Sequence, residues 1–173
     1  MSIHKTYAVF GLGRYGRAVA EELVQNGAEV LAVDIDPNNV NSAVETLPVC
    51  KCADITDPEV IKRLGVSNID VAVIAMASNL EASVMAVTLC KEVGVKNVIV
   101  KCGSDMHQKI FRRVGADQVI FPEKESVPFY ANLPEYEGIK YFGLSSSTKK
   151  PYNRICTEHY HPIVNDDDNS GEN

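Results

Sequence analysis

No stretch of this 173-residue chain is apolar for anything near the ~20 residues a membrane-spanning helix needs. The opening MSIHKTYAVF has no basic region leading into an apolar stretch and a cleavage site, so secretion is not expected. Any membrane role would run through a partner. Basic charge is scarce: 17 Lys and Arg stand against 23 Asp and Glu, for a formal charge of −6. The end of the chain, DDDNSGEN, alone holds four acids and no base. Without a basic face there is nothing to neutralise a phosphate backbone, and nucleic acid is not an expected partner. The GxSxG, HExxH and GxxxxGK[ST] signatures are also missing, along with the hydrolase, zinc-protease and P-loop chemistries they serve. Cysteines number five, at Cys50, Cys52, Cys90, Cys102 and Cys156. An odd count, mostly in apolar runs, reads as buried reduced thiols of a cytosolic protein. Cys50 and Cys52 would share one face of a strand. No second pair follows at zinc spacing, so strand packing is their expected role.

What the chain does have is alternation. With 45% hydrophobic residues it can bury a real core. YAVFGL, EVLAVDI, VCKCA, DVAVIAMA, NVIVKC and QVIFP read as strands, the fourth almost wholly apolar as in a parallel sheet buried on both faces. Between them lie helical stretches. RYGRAVAEELVQN is closed by Gly27. A second helix opens at Pro37 and runs to about Leu47. EVIKRLG is capped by Asp57 and Pro58, and LEASVMAVTLCKEVG by Asn79. DMHQKIFRRVG completes the set. The pattern predicts a doubly wound parallel six-stranded sheet, a Rossmann fold of order 3-2-1-4-5-6, over residues 1–126. After Pro122 regularity stops. Residues 127–165 are expected to form a short irregular extension broken by prolines, and residues 166–173 a disordered acidic tail.

The one strong local signal is GLGRYG at residues 11–16. A strand precedes it, a helix follows, and an acid, Asp34, comes eighteen residues after Gly16. Gly11 suits the tight turn, Gly13 lets a pyrophosphate approach the backbone, and Gly16 lets the helix lie close on the sheet. Helix N–H groups then face the phosphates. Asp34 can accept both ribose hydroxyls of an adenosine and would repel a 2′-phosphate, which argues against NADP. ATP, ADP and NAD(H) fit equally. Arg14, inside the loop, suits a terminal phosphate. Strand ends supply further candidates: Asp54 for an adenine amino group, Ser78 and Asn79 for ribose or phosphate, Lys101 for phosphate.

A dehydrogenase also needs an acid–base residue beside the nicotinamide. Of His4, His107, His159 and His161, the first precedes strand 1 and His107 has the look of a surface position. The last two, with Cys156, lie in the proline-broken terminal stretch. A well-specified nucleotide site without a reaction site favours sensing over catalysis.

VFGLGRYGRAVAEEL, EVLAVDIDPNNVN, the Asp54-Ile55-Thr56 step, VAVIAMASNLEASVMAVTLCKEVGVKNVIVKC and GADQVIFPEKE resemble the N-terminal regulator-of-potassium-conductance domain. This is the TrkA-N or KTN domain of the Ktr and Trk potassium-uptake regulatory subunits. The resemblance spans residues 5 to about 126. It implies a non-enzymatic, adenine-nucleotide-binding (ATP/ADP or NAD(H)) regulatory subunit on the inner face of the cell membrane. Such a subunit is cytoplasmic and peripheral, a homo-oligomer (a dimer, possibly an octameric ring), held by a membrane potassium-translocating subunit. It implies a site built from Gly11, Leu12, Gly13, Arg14, Tyr15, Gly16, Asp34, Ile35, Asp54, Ile55, Ala75 and the strand-4 end. Glu123 matches a cation-binding position. Family members usually continue with a crossover helix and a C-terminal domain, whereas Pro128 and Pro134 break such a helix here. The alternative readings are an NAD-dependent oxidoreductase or a stand-alone NAD(H) redox sensor.

Overall fold

Each described strand is followed by a helix, and the connections are too short for any crossover except one that packs its helix back on the sheet. The computed structural model describes residues 5–125. They run β1 (Thr6–Phe10), α1 (Arg14–Gln25), β2 (Glu29–Asp34), α2 (Pro37–Ala43), β3 (Cys50–Cys52), α3 (Pro58–Arg63), β4 (Val71–Ile74), α4 (Leu80–Glu92), β5 (Asn97–Lys101), α5 (Asp105–Arg113) and β6 (Gln118–Ile120). The sheet is parallel throughout, in the order β3-β2-β1-β4-β5-β6.

Strand periodicity divides the core. Ala8 and Phe10 of β1 face one side with Ile74, Val98 and Val100, against Ile61, Ala86, Val87 and Phe111 from α3, α4 and α5. Val9 faces the other side with Ala32 and Val73, against Ala20 of α1 and Val40 and Ala43 of α2. Phe10, Phe111, Ile61 and Ile74 are among the largest fully buried side chains. Removing any of them costs about 2–5 kcal/mol.

Two boundaries and one extra turn depart most from the sequence reading. Helix α2 ends at Ala43 rather than about Leu47, because its last turn tightens. The Thr46 N–H bonds back to the Ala43 carbonyl at 3.1 Å, while its hydroxyl leaves the helix for Glu21 Oε1 at 2.6 Å. Strand β4 stops at Ile74 rather than Ala77. The chain then turns onto α4, and the buried Ser83 hydroxyl lies 2.9 Å from the Met76 carbonyl and 2.8 Å from that of Asn79. A short 3₁₀ turn, Val66–Asn68, was not anticipated; it follows Gly65 at φ +69°. Beyond β6, residues 122–125 are helical, where the described residues end. Cys156, His159, His161, the irregular extension and the acidic tail lie outside them.

The thiols divide differently from expectation. Cys90 and Cys102 are buried, and burial pushes the Cys90 thiol up to about 12. Cys50 is half-buried and Cys52 exposed, because β3 is the sheet edge and has no further strand to cover it. His107 is less exposed than the sequence reading expected. It is half-buried, edge-on to Phe111 at 6.4 Å between ring centroids, and its Nδ1 is buried without a hydrogen bond.

Candidate functional site

The topology reverses between β1 and β4, and the chain leaves their carboxyl ends in opposite directions, which opens a crevice there. The GLGRYG loop occupies one lip. Gly11 continues the sheet by donating its N–H to the Val33 carbonyl at 2.9 Å, then turns the chain at φ +93°. A Cβ on Gly11 would come within 2.7 Å of Met76 Cγ. A Cβ on Gly16 would overlap the Gly11 carbonyl oxygen and lie 2.9 Å from Ala75 Cβ. Gly13 differs from both. It is exposed, its φ of −64° suits any residue, and a Cβ there would meet nothing within 4 Å. The fold itself therefore requires Gly11 and Gly16 but not Gly13.

Gly13 is also the N-cap of α1, and no side chain caps that helix. Helices α2 to α5 are capped. Asp36 accepts from Asn38 N–H at 2.9 Å, Asp57 from Glu59 N–H at 2.8 Å, Asn79 from Ala82 N–H at 3.0 Å and Ser104 from His107 N–H at 3.2 Å. The first turn of α1 holds no acid. Its leading N–H groups thus remain without intrahelical partners at the positive end of the helix dipole. Arg14 stands exposed at the same point, with no ion pair among the described residues. Tyr15, next in the loop, is half-buried.

Asp34, at the tip of β2, is tied to this loop. Its Oδ2 accepts from Leu12 N–H at 2.6 Å and from Asn39 Nδ2 at 3.1 Å, and its Oδ1 accepts from Asp36 N–H at 2.8 Å. Leu12 thus gives its amide to Asp34 while its side chain is buried in the core. Beside Asp34 the side chain of Ile35 is 65% exposed, an apolar surface with nothing over it. Asp54 stands past the end of β3, where its Oδ1 accepts from Thr56 Oγ1 at 2.7 Å and Thr56 N–H at 2.9 Å. Those two bonds hold its carboxyl below the usual carboxylate range. Ile55 is buried in the core beside it.

Across the crevice, Ala75 is half-buried and Ser78 and Asn79 are exposed, with the Asn79 side chain spent on capping α4. Lys101, at the end of β5, is brought together with Glu123. Its Nζ lies 3.0 Å from Glu123 Oε1 and 5.1 Å from the centre of the Tyr15 ring. Burial would raise the Glu123 carboxyl, but its own backbone N–H and Lys101 outweigh that and hold it below the usual range. Among the described residues, no group of three or more His, Cys, Asp or Glu could hold a metal ion. A separate groove of about 370 Å³ opens at the opposite, amino end of the strands, lined by Tyr7, Val24, Val30, Pro48 and Val49. Its lining is mostly apolar, with Thr6 and Glu29 among the lining residues and no Lys or Arg.

Sequence reasoning missed Asn39. It stands in the first turn of α2, five residues after Asp34, where the chain folds back over the strand tip. The signal was an amide one helical turn inside an Asp-Pro cap.

Comparison with known proteins adds three findings. The family model of the TrkA-N domain matches residues 7–122. The Ktr system potassium uptake protein C of Bacillus subtilis (strain 168) is 35% identical over 142 residues, covering 82% of this chain and 64% of that protein. The Ktr system potassium uptake protein A of Vibrio alginolyticus is 37% identical over 121 residues, 70% of this chain and 55% of that one. The chain thus spans less than two thirds of the length of these relatives. Among solved structures, the GsuK channel bound to NAD superposes with a TM-score of 0.64 at 15% identity, over 75% of this chain and 23% of that one. That likeness is one of fold.

Proposed function

The chain belongs to the TrkA-N domain family, and on that premise we propose that it is the nucleotide-sensing part of a potassium-uptake regulatory subunit. The observation that carries this reading is the uncapped start of α1. Gly13 leaves open space in front of free helix N–H groups, one strand away from the Asp34 carboxylate. An adenylate's phosphates fit the first position and its ribose the second, with the adenine against Ile35 and within reach of Asp54. Ala75, Ser78 and Asn79 line the far lip. Arg14 supplies a cation for a terminal phosphate, from this nucleotide or a neighbouring subunit's. ATP, ADP and NAD(H) are the candidates. The names of the relatives support the potassium-uptake role, and the NAD held by the GsuK channel supports a nucleotide in this fold.

Regulation on this reading is a population shift. A nucleotide biases a homo-oligomer, a dimer or an octameric ring, toward a shape that opens or closes a membrane potassium-translocating partner. The bias equals its difference in affinity for the two shapes. The subunit then sits on the cytoplasmic face through that partner; no helix among the described residues is long and apolar enough to cross a membrane. Glu123 faces Lys101 through Oε1, so a cation taken up there would compete with that ammonium for the carboxylate. Calorimetric titration with ATP, ADP, NAD and NADH tests the reading. It expects saturable binding of at least one, with the nucleotide recovered intact. No binding, or NADH formed from NAD and an alcohol or hydroxy acid, would replace it with another reading.

A further inference from the structure

The Asp34 carboxylate is nearly filled by the protein's own donors. An ionised carboxylate offers about four acceptor positions. Three are occupied, by Leu12 N–H, Asp36 N–H and Asn39 Nδ2. A ribose brings two hydroxyl donors, so accepting both means that one of the three must leave. Two of them are backbone N–H groups. Leu12 belongs to the glycine loop and is buried, and stripping its N–H would leave an orphaned donor. Asp36 N–H is held in the Asx turn that starts α2. The third is a side chain. Asn39 is half-buried, its bond to Asp34 is the longest of the three at 3.1 Å, and it can rotate without disturbing the backbone.

We propose that Asn39 is a second ribose-reading residue: its amide yields its place on Asp34 Oδ2 to a ribose hydroxyl and then donates to that hydroxyl's oxygen. The hydroxyl is inserted between the two side chains, donating to Asp34 and accepting from Asn39, and no donor or acceptor is left unpaired. This rests on the nucleotide reading above and goes beyond it by assigning sugar discrimination to a pair of residues.

The test uses ADP, the portion shared by ATP, ADP and NAD(H), with 2′-deoxy-ADP and 3′-deoxy-ADP. Each is titrated calorimetrically into the whole chain, into Asn39→Ala and into Asn39→Leu, which keeps the bulk without the donor. The wild type should lose affinity when one of the hydroxyls is removed. In both variants that loss should shrink by about 3- to 10-fold, the worth of one hydrogen bond. A merely structural role for Asn39 would weaken all three ligands by a common factor. Unchanged ratios alongside wild-type ADP binding would therefore overturn the assignment and leave the nucleotide reading standing. Failure of the wild type to bind ADP would overturn both.

Discussion

Helices α1 to α5 all begin at the carboxyl edge of one sheet, and among these five only α1 begins differently. Helices α2, α3, α4 and α5 open on Asp36, Asp57, Asn79 and Ser104, each closing an N–H of its first turn with its own side chain. Helix α1 opens on Gly13 with no such bond. Glycine in place of a capping side chain costs only a few tenths of a kcal/mol of stability. Four of the five sites avoid that cost, and the fifth leaves its donors open beside an acid that holds the same loop. The contrast teaches where the fold ends and the site begins. Gly11 and Gly16 are glycine because the protein has no room for a side chain, and Gly13 is glycine with room to spare.

Substituting the glycines breaks the comparison most severely. Gly16→Ala pushes a Cβ onto the Gly11 carbonyl and against Ala75, and overpacking of backbone against backbone should cost about 3 kcal/mol or more. Urea unfolding followed by circular dichroism measures it; a loss below about 1 kcal/mol would show that the helix can move off the loop.

Asp34→Ala comes next. It removes the acceptor for Leu12 N–H, Asp36 N–H and Asn39, so stability and ADP affinity should fall together, each by about 1–3 kcal/mol. A fall in affinity alone would mean that the loop does not depend on the carboxylate.

The smallest effect is in acid and lies away from the site. For Asp117, burial opposes ionisation, but Val98 N–H at 2.7 Å and Lys91 Nζ at 3.0 Å outweigh it and lower its pKa. A depressed folded pKa contributes stability that is present above the unfolded value of about 4 and is lost as pH falls through the folded one. Asp117→Asn should flatten the stability-versus-pH curve below about pH 4, by about 1 kcal/mol or less given its solvent screening. An unchanged acid limb would remove Asp117 from that role.

The fold was legible because its signals are local. Asp57 and Asn79 sit immediately before their helices, Pro58 opens its own, and a strand such as VAVI, buried on both faces, declares a parallel sheet. The strand order followed from handedness and the reversal between β1 and β4. What escaped was set by partners distant in the chain. Leu12 finds Asp34 across 22 positions, and Lys101 finds Glu123 across another 22, so a cation assigned to phosphate and an acid assigned to a metal turned out to face each other. The exposure of Cys52 depends on β3 being an edge, and the burial of His107 on Phe111 one turn along α5. Neither is written in the residues themselves. The loop motif, by contrast, assigned Gly11 to the turn and Gly16 to close packing, and the lack of room around both agrees.

The most direct measurement places Gly13→Asp beside the wild type and reads unfolding free energy and ADP affinity from the same preparations. The new carboxylate has space, can cap α1 and fills the position assigned to phosphate. Stability should hold or rise by about a few tenths of a kcal/mol while ADP binding weakens by about 100-fold or more. A variant that binds ADP as tightly as the wild type would contradict the account, because the open end of α1 would then not be where the phosphates sit.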